Sequence, residues 1–136
     1  MKLSTRTRYA ARALVEIARH GGVPVAVKVI SDSQRISLKY LENLMKDLKK
    51  HHLVKSFRGV DGGYVLTRDP GQVTILDIYN AVEGEVEMVE CVTDAASCDF
   101  IDQCPTNTVW KGLSVVVRDY LSRYTIEELL QENCKE

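Results

Sequence analysis

Apolar residues return at intervals of three and four along the first third of the chain. Between Thr5 and about Arg19 the positions Tyr9, Ala10, Ala13, Leu14, Ile17 and Ala18 fall on one face, which predicts an amphipathic helix. Ser4 or Thr5 is suited to cap its start, and Gly21, Gly22 and Pro24 end it. A shorter helix over Val27 to Ser33 turns Val27 and Ile30 inward. After a turn at Gln34, Arg35 and Ile36, Ser37 caps a third helix that runs to about Lys50. That helix buries Leu41, Leu44, Met45 and Leu48, and its other face carries Lys39, Glu42, Asn43, Lys46 and Lys49.

The pattern then changes from helix to strand. Leu53 to Arg58 and Tyr64 to Thr67 read as two strands around Gly59, Val60, Asp61, Gly62 and Gly63, a hairpin with a glycine-bearing loop. Two helices joined by a tight turn form a helix-turn-helix pattern, and a basic hairpin beside the second helix makes it a winged helix. Beyond Pro70 and Gly71 the chain changes character. Thr74 and Asp77 bracket the start of a short helix through about Val82, and Pro105 suits the first turn of a long helix to about Arg123. Along that helix Val109, Leu113, Val116, Val117, Tyr120 and Leu121 form a stripe longer than a small core can cover. The simplest cover is the same helix of a second copy in a two-fold dimer. Thr125 and Glu128 form a capping-box pattern ahead of a final helix through about Gln131. The expected fold is therefore mainly α with one small β-hairpin. A winged helix-turn-helix unit spans residues 1–70. Residues 71–136 add a cysteine loop and dimerisation helices, packed as one unit with the first.

Charge sharpens this division. The net charge of -1 hides 14 Lys+Arg against 5 Asp+Glu in residues 1–68, and 4 against 14 in residues 69–136. A basic half that meets a polyanion and an acidic half that does not are the natural reading. No apolar run approaches the roughly 20 residues that cross a bilayer, and the opening residues lack the apolar stretch of a signal peptide, so a cytoplasmic protein with no membrane partner is expected. In that reducing setting, four cysteines point to metal or redox chemistry before a disulfide framework. There is no phosphate-binding glycine loop, no pair of catalytic carboxylates and no cysteine–histidine pair with a recognisable role. Neither an enzyme nor a small-molecule substrate is expected.

The opening Met1 to Ala10, the stretch Ile36 to Glu42, the wing Arg58 to Tyr64, the cysteine loop and Trp110 together resemble the winged-helix regulators of the IscR type. The resemblance covers nearly the whole chain. It implies a DNA-binding transcriptional regulator, in action a repressor, that senses iron–sulphur status through a cluster on three cysteines and controls iron–sulphur cluster biogenesis genes. The family also includes cysteine-free members that regulate by other means, so the alternative is a cluster-free repressor governed by thiol oxidation or a partner protein.

By resemblance and exposure, Lys39, Glu42 and Asn43 meet base edges from the start of the recognition helix. Asn43 suits adenine and Glu42 accepts from cytosine. Ser4, Thr5, Arg6, Ser37 and Lys46 suit phosphate, where helix N-termini offer free N–H groups. Arg58, Gly59 and Gly62 suit the minor groove, which Arg reads and which Gly lets the backbone approach. The partner is a palindromic duplex bound by a homodimer. Family members commonly carry glycine in the helix-turn-helix turn where this chain has Arg35, and a slightly altered turn is the expected relief of a left-handed backbone there.

Cys91 and Cys98 are separated by six residues, and Cys98 and Cys104 by five. Thiolates are the usual ligands of iron–sulphur clusters, and the spacing is wider than zinc sites usually show. A cluster on Cys91, Cys98 and Cys104 is the leading reading, with zinc or a thiol switch as alternatives. The type member of the family spaces both intervals by five residues and supplies an imidazole three residues after the third cysteine. Here Asn107 stands at that position, and an amide is a poor ligand for iron. A 2Fe–2S centre with another fourth ligand is favoured over a 4Fe–4S centre with one labile iron. Cys134, near the terminus, is expected to be a free thiol, and His20, His51 and His52 all belong to the DNA-binding half.

Overall fold

The computed structural model describes residues 3–90, 94, 96 and 98–132; Cys91 and Cys134 lie outside the described residues. The first helix, α1, spans Thr5–Arg19 and is capped by Ser4, whose hydroxyl accepts from the Thr7 N–H. Its Ala10, Ala13, Leu14 and Ile17 are buried at the predicted helical spacing. Helix α2 follows at Val27–Gln34 and α3 at Leu38–Lys50, with the Ser37 hydroxyl accepting from the Tyr40 N–H at 3.1 Å. The α3 residues Leu41, Leu44, Met45 and Leu48 are all buried, as their periodicity predicts.

The turn between α2 and α3 corrects one expectation. Arg35 sits in the left-handed region, at φ 55° and ψ 46°, so the turn is not altered to spare a side chain. The neighbours hold it there. The buried Ser31 hydroxyl donates to the Ile36 carbonyl at 2.6 Å, while the Ser31 carbonyl accepts from the N–H groups of Arg35 and Ile36. With Ile36 itself in the core, a relaxed turn would cost more packing than the left-handed backbone, which is about 1–2 kcal/mol.

The wing is an antiparallel pair, β1 at Val54–Phe57 and β2 at Gly63–Leu66, in register Val54 with Leu66 through Phe57 with Gly63. A third segment joins it where Val25 and Tyr64 exchange backbone hydrogen bonds of 3.0 and 2.8 Å. This close approach explains one glycine. A Cβ on Gly63 would lie 2.3 Å from the Val25 carbonyl carbon, so no other residue fits between strand and strand.

After a 3-10 turn at Pro70–Gln72, α4 spans Ile75–Glu83 behind a reciprocal capping box between Thr74 and Asp77. The long helix, α5, spans Asn107–Ser122, and Pro105 precedes it instead of occupying its first turn. The last helix, α6, spans Ile126–Gln131; the Thr125 hydroxyl accepts from the Glu128 N–H, so only that half of the expected reciprocal box is formed. Ile126 donates to the Val73 carbonyl at 2.9 Å, and Ile75 donates to the Tyr124 carbonyl at 2.9 Å. These bonds pin α6 beside α4. As a result Val73, Ile78, Ala81 and Ile126 share one apolar core with Ala10, Leu14, Leu41 and Met45. No helix among the described residues is long and apolar enough to cross a membrane.

Candidate nucleic-acid interface and cysteine loop

Burying Leu41, Leu44, Met45 and Leu48 turns the opposite side of α3 to solvent, and Lys39, Glu42, Asn43 and Lys46 are all exposed there. One helix face thus offers donors and acceptors of both kinds that read base edges. The helix is anchored to the wing by Lys49, whose ammonium donates to the Ser56 hydroxyl at 2.8 Å. Arg58 is exposed beside Gly59, which adopts φ 106° with open space around it. Gly62 has an internal reason to be glycine: a Cβ there would lie 2.3 Å from the Phe57 carbonyl oxygen. Sequence reading missed two wing side chains. Phe57 is half exposed, and the Lys55 ammonium lies 5.7 Å from its ring centroid.

The head of α1 is more committed than its sequence suggests. Thr5 is exposed, but the Ser4 hydroxyl donates to the Glu83 carboxylate, and Thr7 donates to the same oxygen at 3.2 Å. Arg6 is ion-paired with Asp47 on α3. These contacts fasten α1 to both α3 and α4, and they place two carboxylates beside groups expected to meet phosphate. Farther along, the Arg12 guanidinium lies 5.2 Å from the Tyr9 ring centroid and bonds to Gln34, bracing the helix-turn-helix turn.

In the cysteine loop, Cys98 and Cys104 are free thiols, each partly exposed. A single 3-10 turn, Ile101–Gln103, links them: the Cys98 carbonyl accepts from Ile101 at 3.3 Å, and the Ile101 carbonyl accepts from Cys104 at 3.4 Å. Cys104 lies just before α5. The Thr106 hydroxyl beside it, then the N–H groups of Thr106 and Asn107, hold its thiol below the ordinary range. Donors of this kind favour the thiolate, which is the form that ligates metals. The donor set therefore fits an iron–sulphur centre, with Cys91 as the expected third ligand outside the described residues. Among the described residues no three His, Cys, Asp or Glu side chains converge on a common point. Asn107, expected at the imidazole position, is buried in the first turn of α5.

Helix α5 is inverted relative to a core helix. Its buried residues are polar, Asn107 at 8% and Ser114 at 1% exposed, while Val109, Val115, Val116 and Tyr120 are between 53% and 63% exposed. The polar side clamps the segment leading toward Cys91: Ser114 accepts from the Met88 N–H at 3.2 Å, and Arg118 donates to the Val86 carbonyl at 3.2 Å. The apolar side borders a groove of about 420 Å³ lined by Leu3, Tyr79, Val86, Met88, Val116 and Tyr120, among others.

A family profile described as Rrf2, iron-dependent transcriptional regulator, matches residues 3–132. The chain belongs to the Rrf2 family. It is 40% identical over 131 residues to the HTH-type transcriptional regulator IscR of Sodalis glossinidius (strain morsitans), covering 96% of this chain and 79% of that protein. The solved structure of T. potens IscR superposes with a TM-score of 0.79 at 34% identity, over 96% of this chain and 87% of the other. That of CymR (YrzC), the global cysteine regulator of B. subtilis, superposes at 0.76 with 32% identity, over 96% of each chain. A further structure, Staphylococcus aureus CymR in its oxidized form, superposes at 0.77 with 28% identity, over 99% of this chain and 100% of the other.

As an Rrf2 member the chain is a DNA-binding transcriptional regulator and not an enzyme. The mainly helical architecture with one two-stranded hairpin is the Rrf2 winged-helix fold. Sequence reading missed the partners of Ser4 and Arg6 in this Rrf2 chain, Glu83 and Asp47. The reason is distance along the chain: Glu83 is 79 residues from Ser4, and Asp47 is 41 from Arg6. Nothing periodic signals such pairs.

Proposed function

We propose that two copies of this chain pair through α5, bind a palindromic duplex, and repress transcription under the control of an iron–sulphur cluster held by Cys91, Cys98 and Cys104. The carrying observation is the cysteine pair, Cys98 and Cys104, joined by one 3-10 turn directly at the head of α5. When bound, a cluster supplies a centre whose charge and presence respond to iron, sulphide and electrons.

The chain's own residues carry the rest. Lys39, Glu42 and Asn43 select bases, with Glu42 also excluding sites that lack a donor for its carboxylate. Ser4, Thr5, Arg6, Ser37 and Lys46 hold phosphates, and Arg58 with Gly59 and Gly62 enters the minor groove. Arg6 exchanges part of its bond to Asp47 for phosphate, so Asp47 holds it ready in the free protein. Ligation in the loop bears on α5 through the Ser114 and Arg118 contacts with residues 86–88, and so on the spacing of the two recognition helices. A ligand shifts such an equilibrium only through different affinity for the two arrangements.

Anaerobic purification followed by visible spectroscopy with iron and sulphide analysis tests the cluster. Replacing any one of Cys91, Cys98 or Cys104 by Ala is expected to remove the chromophore, and Cys134→Ala and Asn107→Ala to keep it. Retention of a full cluster in Cys98→Ala defeats the ligand set. Identical DNA binding by holo and apo protein defeats the switch. The likeness to CymR supports a second reading, a cluster-free repressor answering to thiol oxidation or to a partner protein. It requires a colourless anaerobic protein; DNA affinity that changes with a mild thiol oxidant marks the first form, and affinity that changes only on adding a partner marks the second.

A further inference from the structure

We infer that Thr106 is a positioning residue for the cluster, its hydroxyl donating to the Cys104 sulphur and thereby setting the reduction potential and the retention of the iron–sulphur centre. The inference rests on the cluster reading above. Thr106 Oγ1 lies 3.4 Å from Cys104 Sγ. In the free thiol either atom can donate, but a ligating thiolate has no proton, so the hydroxyl is then the donor.

The backbone before α5 leaves this hydroxyl free of the helix that follows. Ser4, Ser37, Thr74 and Thr125 stand immediately before helices, and each gives its side-chain oxygen to an N–H of the helix that follows. Thr106 also precedes α5, but its backbone is already helical, at φ -104° and ψ -5°, and its side chain makes no such bond. A helical residue is not in capping geometry, so the oxygen stays available to the Cys104 sulphur. Its position is well defined. The Thr106 carbonyl accepts from Val109 at 3.0 Å and Trp110 at 3.2 Å, and the branched side chain has few rotamers.

Reduction adds one electron from an external low-potential reductant, with no bond made or broken at Thr106 and no proton moved there. The added charge falls partly on the sulphurs, where a hydrogen bond gains strength, so the hydroxyl favours the reduced centre. Loss of that bond is expected to lower the potential and loosen the cluster.

The test uses the anaerobically reconstituted full chain with Thr106→Val, which keeps the shape and removes the donor, and Thr106→Ser, which keeps the donor. Because Thr106 provides no cap, helix content by circular dichroism is expected to be unchanged. Optical redox titration is expected to show Thr106→Val shifted negative by roughly 30–60 mV, about a three- to tenfold change in a one-electron equilibrium. Bleaching by an iron chelator is expected to quicken several-fold, and Thr106→Ser to match the unaltered chain in both. Equal potential and equal bleaching in Thr106→Val overturn the inference while leaving the cluster reading intact. So does a Thr106→Ser shift as large as that of Val, which marks a packing role. An unaltered chain that takes up no chromophore, iron or sulphide overturns both together.

Discussion

Helices α1 and α5 are of nearly equal length, yet they spend their apolar residues in opposite ways. In α1 the residues Ala10, Ala13 and Leu14 are fully buried within the chain's own core, and the polar residues face out. In α5 the chain buries Asn107 and Ser114 and leaves Val109, Leu113, Val115, Val116 and Tyr120 exposed. Exposed apolar residues scattered singly are ordinary, but a contiguous stripe beside an apolar groove is the mark of a surface awaiting a partner. The comparison teaches that α1 meets its apolar partners within the chain, whereas α5 leaves its stripe for the second copy proposed above. The polar inner face has its own purpose, since it grips residues 86–88 on the way to the cysteine loop.

The largest effect expected from breaking this contrast is in the core. Ile126→Ala truncates a fully buried side chain and is expected to cost about 2–5 kcal/mol of unfolding free energy, read by denaturant titration at fixed protein concentration. A loss below about 1 kcal/mol shows that α6 is not integral to the core. On the other side, Val116→Asp leaves the single chain folded, because its site is open to solvent there. In the paired state it buries an unmatched charge, so the dimer dissociation constant is expected to rise by about 100-fold or more, roughly 2.7 kcal/mol. Sedimentation showing an undisturbed dimer removes α5 as the seam.

Smaller effects sharpen the division of labour. Arg58→Ala is expected to weaken duplex binding and spare assembly: DNA affinity is expected to fall about tenfold and the log–log salt slope, about -0.9 per neutralised phosphate, to shrink by about one. Glu42→Ala is expected to cost little affinity but to reorder the preference among half-site variants; an unchanged ranking shows that Glu42 does not select. The smallest change is a gain. Arg35→Gly relieves the left-handed backbone at φ 55° and is expected to raise stability by about 1 kcal/mol, net of the entropy glycine adds to the unfolded chain. Thermal unfolding that is unchanged or lowered shows that the Ser31 contacts absorb no strain there.

Much of this was written locally. The three- and four-residue spacing of Leu41, Leu44, Met45 and Leu48 determined both the existence of α3 and the side it shows to solvent, because a helix repeats every 3.6 residues whatever it packs against. The hydroxyls at Ser4, Ser37, Thr74 and Thr125 marked helix starts because a cap depends only on its next three residues. The stripe on α5 was legible in the same way. Tertiary structure decided what local rules leave open. It held Arg35 left-handed because Ile36 had to reach the core, gave Gly63 its necessity through Val25, and set Glu83 against Ser4 and Asp47 against Arg6 across long stretches of chain. Periodicity and capping are energies between near neighbours, readable from the order of residues. A contact between distant segments exists only after the core has chosen how its helices lie, and no run of residues records that choice by itself.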